Sequence, residues 1–249
     1  MPVLWTVRYA GDTTLVIEFG DRIDRGIFDR VNALDALVHS AINTGDIDGI
    51  RETIPTFRSL AIVYDSSVVH PDDLVVRLHD LETEDVDGML PETHANHWQL
   101  PVLYGTEHGP DLTNVSRLTG MSAEAVIDLH TSTDVIAYML GFLPGYAFLG
   151  DTAEPLHLPR RSEPRLRVPA GSVAIAMQLT GIYPWESPGG WHILGNCPVP
   201  MFDATASPPT LLKAGDRISF ARIDEPQFME LKQELADSPL DRQRWLAGQ

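Results

Sequence analysis

The chain opens with two apolar, β-branched segments, residues 3–9 and 13–19, separated by Ala10-Gly11-Asp12, and together they predict a hairpin. Asp24 suits a helix N-cap. After it, Ile27, Phe28, Val31, Leu34, Leu37 and Val38 recur at the spacing of one helical face, as far as Asn43-Thr44-Gly45. Ile50–Pro55 and Arg58–Asp65 predict two more strands, and the continuous apolar run from Leu60 to Tyr64 is expected to be central. Pro71, followed by Asp72 and Asp73, starts a second helix whose apolar face is Leu74, Val75, Leu78 and Leu81. The order strand, strand, helix, strand, strand, helix predicts an α+β layer with both helices on one face of the sheet.

Residues 82–94 are polar and acidic, so a domain boundary is expected there, with 1–93 as the first domain. Beyond it, His97–Tyr104 reads as an edge strand. Asp111 and Ser122 are expected to cap two short helices, the second ending at His130. Asp134–Leu140 is a buried strand by its apolar run, and Ser172–Met177, Trp191–Gly195 and Arg217–Ile223 read as further strands. Many short strands among Gly/Pro turns indicate a barrel or sandwich over 94–225. Residues 226–249 are charged and weakly periodic, and are expected to form a helical tail packed on the outside.

The densest concentration of Gly and Pro, with Tyr, Trp and Arg among them, falls between 141 and 195. Such a segment is poor material for helix and reads as short strands and specified turns that hold side chains on a shaped surface. Composition sharpens this. The 249 residues carry a formal net charge of −17, which repels nucleic acid and anionic membranes, so neither is expected as a partner. Yet Arg160, Arg161, Arg165 and Arg167 crowd together in the central segment. They either recognise an anion or answer neighbouring acids. There is no apolar run of about 18 residues and no secretory signal, and the single cysteine, Cys197, excludes an internal disulfide. These features favour the cytoplasm.

A phosphate-binding Gly-x-x-x-x-Gly-Lys loop and a Gly-x-Ser-x-Gly elbow are both absent from the sequence. His94 and His97 lack a third ligand, so no metal site is expected. Ser172 and Ser187 read as turn residues. His130 suits either acid–base chemistry or the negative end of its helix. Phe142, Tyr183 and Trp191 either line a pocket or fill the barrel.

Several blocks occur together in order: Gly141-Phe142-x-Pro144-Gly145-Tyr146-x-x-Leu149-Gly150, Pro164-Arg165-x-x-Val168-Pro169-Ala170-Gly171-Ser172-Val173, and Thr180-Gly181-Ile182-Tyr183-Pro184 with Ser187-Pro188-Gly189-Gly190-Trp191. In these the chain resembles the family that includes KipI, allophanate hydrolase subunit 1 and the B-type subunit of 5-oxoprolinase. The resemblance implies an N-terminal α+β domain followed by an all-β cyclophilin-like barrel. It also implies work in a complex with a homologous C-type subunit (KipA, or allophanate hydrolase subunit 2-like) and an A-type (LamB/YcsF-like) subunit. That complex opens 5-oxoproline to glutamate with ATP. Alternatives within the family are a regulator that inhibits a histidine kinase and a carboxyltransferase-type subunit of the urea and allophanate pathway. On the leading reading, Arg160 and Arg165 contact an anion and His130 serves as acid or base. Phe142, Pro144, Gly145, Tyr183, Gly189, Gly190 and Trp191 then form the small-molecule substrate site. The chain departs from the family's usual pattern at Met177 (usually Gly), Leu179 (usually Gln) and Asn196-Cys197 (usually Arg-Thr).

Overall fold

The computed structural model describes residues 5–84, 95–237 and 241–248. They fall into two units, divided near residue 94. The boundary expected at 93/94, the first residues of the expected hairpin and His94 lie outside the described residues.

The first unit contains β1 (Thr6–Tyr9), β2 (Thr14–Glu18), α1 (Arg25–Thr44), β3 (Ile50–Pro55), β4 (Ser59–Tyr64) and α2 (Pro71–Glu84). Its antiparallel sheet has the order β1-β2-β4-β3, so β4 lies inside. Alternation along β2 and β4 turns Leu15, Ile17, Leu60, Ile62 and Tyr64 to one face, where they share a core with Val31, Leu34 and Val38 of α1 and Leu74 and Leu78 of α2. Asp24 caps α1 by accepting from the Ile27 N–H at 3.2 Å.

The second unit is a closed barrel of seven strands in the order β10-β7-β6-β13-β5-β12-β9. These are β5 (His97–Tyr104), β6 (Val135–Leu140), β7 (Ala147–Gly150), β9 (Ser172–Ala176), β10 (Leu179–Ile182), β12 (His192–Asn196) and β13 (Arg217–Arg222). Three helices belong to this unit: α3 (Leu112–Thr119), α4 (Ala123–Ser132) and α5 (Glu225–Asp237). Two strands stand outside the barrel, β8 (Arg165–Val168) and β11 (Ser187–Gly189), and pair with each other as an arm.

Three expectations are corrected. β5 is not an edge: it lies between β13 and β12. β12 pairs with it only at Leu103 and Tyr104, so Pro101 falls where the strand has one neighbour and a missing N–H is tolerated. Asp111 precedes α3, but its side chain makes no capping bond. The C-terminal helix ends at Asp237, and Trp245, in a short 3-10 turn, is buried in the barrel core.

Barrel closure also rests on buried polar groups. Asp216, fully buried, accepts from Trp98 Nε1 at 2.7 Å and from the Asn96 and Lys213 N–H groups. His130 lies inside the barrel, its ring stacked on Phe220 at 4.5 Å. Thr180 Oγ1 donates to the Ala174 carbonyl, so it receives the His130 Nε2–H at 3.0 Å. His130 Nδ1 is then left to accept the Tyr104 hydroxyl at 2.7 Å. This one-directional chain fills both nitrogens of a neutral imidazole.

Burial lowers the His130 pKa from 6.5 to about 4. A depressed histidine binds its proton more readily in the unfolded chain. The barrel should therefore be fully stable above pH 6.5 and lose up to about 3 kcal/mol as the pH falls toward 4. In ring NMR titrations of the native protein, one of the nine histidines should stay neutral down to about pH 4, with its signal assigned by its loss in His130→Asn.

Candidate functional site

β8 and β11 bring the middle of the central segment against its later part. Arg165 is paired in register with Gly189, and Val168 with Ser187. The arm is tied to the barrel by Asp111, which is 3% exposed. Its carboxylate accepts from Arg161 Nη1 at 2.6 Å, from Arg165 Nη1 and Nη2 at 2.7 and 2.8 Å, and from the Ile193 N–H of β12 at 2.8 Å. Burial alone would raise the Asp111 pKa. The hydrogen bonds from Arg165 and Ile193 and the charges of Arg165 and Arg161 outweigh it and hold the group below the ordinary carboxylate range. One carboxylate thus fastens the arm, the start of α3 and a barrel strand.

Against the arm lies a cavity of about 330 Å³. Its floor is aromatic. Tyr146 meets Phe148, Tyr183 and Trp191 edge-on, at centroid distances of 4.9, 5.2 and 6.1 Å. Phe142 stands at the mouth, 64% exposed and held at φ +72°. Arg160, Arg161 and Pro164, just before β8, and Pro188, Gly189 and Gly190, at β11, complete its lining. Among the described residues, Arg161 and Arg165 share the single charge of Asp111 and Arg167 pairs with Glu186, whereas Arg160 pairs with no carboxylate. The crowded arginines therefore divide: three answer acids and one is left to the cavity.

The cavity brings together six of the expected residues: Phe142, Arg160, Tyr183, Gly189, Gly190 and Trp191. Four lie elsewhere. His130 is inside the barrel. Arg165 borders a separate hollow of about 250 Å³, with Arg167, His108 and Asn196. The Pro144 carbonyl accepts from Trp185 Nε1 at 3.1 Å. Gly145, at φ +82°, lies so close to Met201 and Phe202 that a Cβ would come within 2.7 Å of Phe202. Tyr146, Phe148, Arg161, Pro164 and Asp111 were not expected at the site from the sequence. Tyr146 stands immediately before β7 and Phe148 within it. Asp111 carried no sequence signal, because nothing local shows that its partners lie about fifty residues away. A larger open groove of about 610 Å³, edged by Pro169, Pro184, Pro198 and Pro200, shares Tyr183 with the cavity.

Met177 sits at φ +53°, in the left-handed region that glycine occupies without strain. It does not line the aromatic cavity.

The family model for the carboxyltransferase domain, subdomain C and D, matches residues 5–212. The chain belongs to this carboxyltransferase subdomain C and D family. It is 37% identical over 243 residues to the B-type subunit of 5-oxoprolinase from Bacillus subtilis (strain 168), covering 94% of the chain and 99% of that protein. The protein of the same name from Escherichia coli O157:H7 is 38% identical over 175 residues, covering 70% of the chain and 79% of its relative. Among solved structures, TTHA0988 superposes with a TM-score of 0.72 at 33% identity, over 86% of the chain; the chain spans 40% of that protein's length.

In this subdomain C and D chain, the tightest point of the cavity is Gly189, where a Cβ would lie 2.5 Å from the Tyr183 hydroxyl and 2.9 Å from its ring. Gly189→Ala should push Tyr183 aside and cost about 1–3 kcal/mol, read as a fall in urea midpoint at unchanged m-value. Gly190→Ala meets Pro164 at 3.7 Å and the Arg161 carbonyl at 4.0 Å, both ordinary contacts, and should cost less than about 1 kcal/mol.

Proposed function

We propose that this chain is the B-type subunit of an ATP-dependent 5-oxoprolinase, which opens the ring amide of 5-oxoproline to give glutamate. The observation that carries the reading is the end-to-end likeness to the Bacillus subtilis protein of that name. The cavity supports it. An aromatic floor suits a compact ring, and an arginine without a counterion suits a carboxylate. Catalysis is the work of a complex with a C-type and an A-type subunit, and ATP serves that complex. Coupling to ATP overcomes the reluctance of an unstrained amide to hydrolyse at neutral pH.

Carboxyl transfer is the second reading, favoured by the family description. Co-expression with the neighbouring A- and C-type subunits separates the two. The purified complex should release glutamate from 5-oxoproline only when ATP is present. A well-folded complex that releases none, yet transfers carboxyl groups from a biotinylated carrier, would replace the first reading by the second.

A further inference from the structure

Tyr146 and Tyr183 meet at the back of the aromatic cavity, both almost fully buried. Space for their hydroxyls is left by two glycines on different strands. A Cβ on Gly181 of β10 would lie 2.8 Å from the Tyr146 hydroxyl, and one on Gly189 of β11 would lie 2.5 Å from that of Tyr183. The two tyrosine rings meet edge-on, with centroids 5.2 Å apart. Burial is the largest influence on both and keeps both phenols protonated at neutral pH, although the Arg160 charge pulls the other way.

A pair of neutral phenols holds two protons, and a bond between them could use at most one. At least one is left for a ligand, and Tyr183 borders the cavity in which that ligand would sit. A buried hydroxyl without an acceptor costs free energy, and a ligand oxygen in the cavity would remove that cost. Arg160, which borders the same cavity, pairs with no carboxylate among the described residues. The cavity thus offers two anion-seeking groups of different character: a guanidinium fork at its arm side and a single neutral donor at its aromatic back.

We propose that these groups read the two ends of a small cyclic amide acid, with Arg160 taking the carboxylate and the Tyr183 hydroxyl, positioned by Tyr146, donating to the ring amide oxygen. The assignment rests on the 5-oxoprolinase reading for the identity of the ligand. The division of labour comes from the cavity itself. A phenol on the amide oxygen draws electron density from the carbonyl carbon, the atom at which the ring must open.

The test is ligand binding to the full chain and to the reconstituted complex, followed by tryptophan fluorescence and calorimetry. The probes are 5-oxoproline, 2-pyrrolidinone (no carboxylate) and proline (no ring carbonyl). Arg160→Gln should weaken 5-oxoproline at least tenfold and leave 2-pyrrolidinone within twofold of wild type, and Arg160→Lys should recover part of the loss. Tyr183→Phe should weaken 5-oxoproline and 2-pyrrolidinone alike and leave proline unchanged. Tyr146→Phe should do the same to a smaller extent. Unchanged thermal midpoints show that each variant folds, and a variant that does not is replaced by the chemically milder Arg160→Lys or by Tyr183→Met. The assignment is overturned if Arg160→Gln weakens both amides equally, if Tyr183→Phe binds as wild type, or if the wild-type chain and complex bind neither amide. Turnover separates the two ideas. A complex that hydrolyses 5-oxoproline with unchanged KM in both variants sinks this assignment alone. Binding with the predicted discrimination, but no glutamate from an intact complex, sinks the 5-oxoprolinase reading alone.

Discussion

The buried carboxylate of Asp111 is the constraint on which the rest of the site depends. Four donors converge on it, from two arginines and one backbone N–H. A carboxylate this deeply buried is tolerable only when its oxygens are fully occupied, and here they are. Its pKa lies below the ordinary range. The clamp is therefore at full strength above that range and is released only as the pH falls through the lowered folded value. Removing the charge would leave two part-buried guanidinium groups competing for solvent, at a cost on the order of 3 kcal/mol.

What the clamp holds is an arm of two short strands, which has no barrel strand beside it in the sheet order. Two-stranded ribbons are marginal by themselves. Fastened at Arg161 and Arg165, the arm places Arg160 and Pro164 on one side of the aromatic cavity and Pro188 to Gly190 on another. The barrel supplies the floor through Tyr146, Phe148 and Trp191. The cavity is thus made where a rigid wall and a fastened arm face each other, and Arg160 remains free because its neighbours have absorbed the nearby acids.

Much of this architecture was legible in the sequence because it rests on local pattern. The period-two strands of the first unit, the helical face from Phe28 to Val38 and the capped start of α4 at Ser122 are all written within a few residues of one another. What depends on distant partners was not. Asp111 has every local mark of a helix cap, yet its charge is claimed by Arg161 and Arg165. β5 was expected at an edge, and only the short reach of β12 explains how Pro101 is accommodated inside the barrel. In the central segment the aromatic and cationic character was plain. Which arginine was spare became visible only once Asp111 and Glu186 were seen to occupy the other three. The family resemblance supplied the barrel, but not the interior position of His130.

The order of the arm is thus conditional on one charge. Hydrogen–deuterium exchange of Asp111→Asn against wild type at neutral pH tests that directly. Peptides covering 160–168 and 187–193 should exchange faster, while β6 and β13 keep their wild-type protection. Exchange that is unchanged at 160–168, or raised uniformly around the barrel, would contradict the dependence of the arm on Asp111.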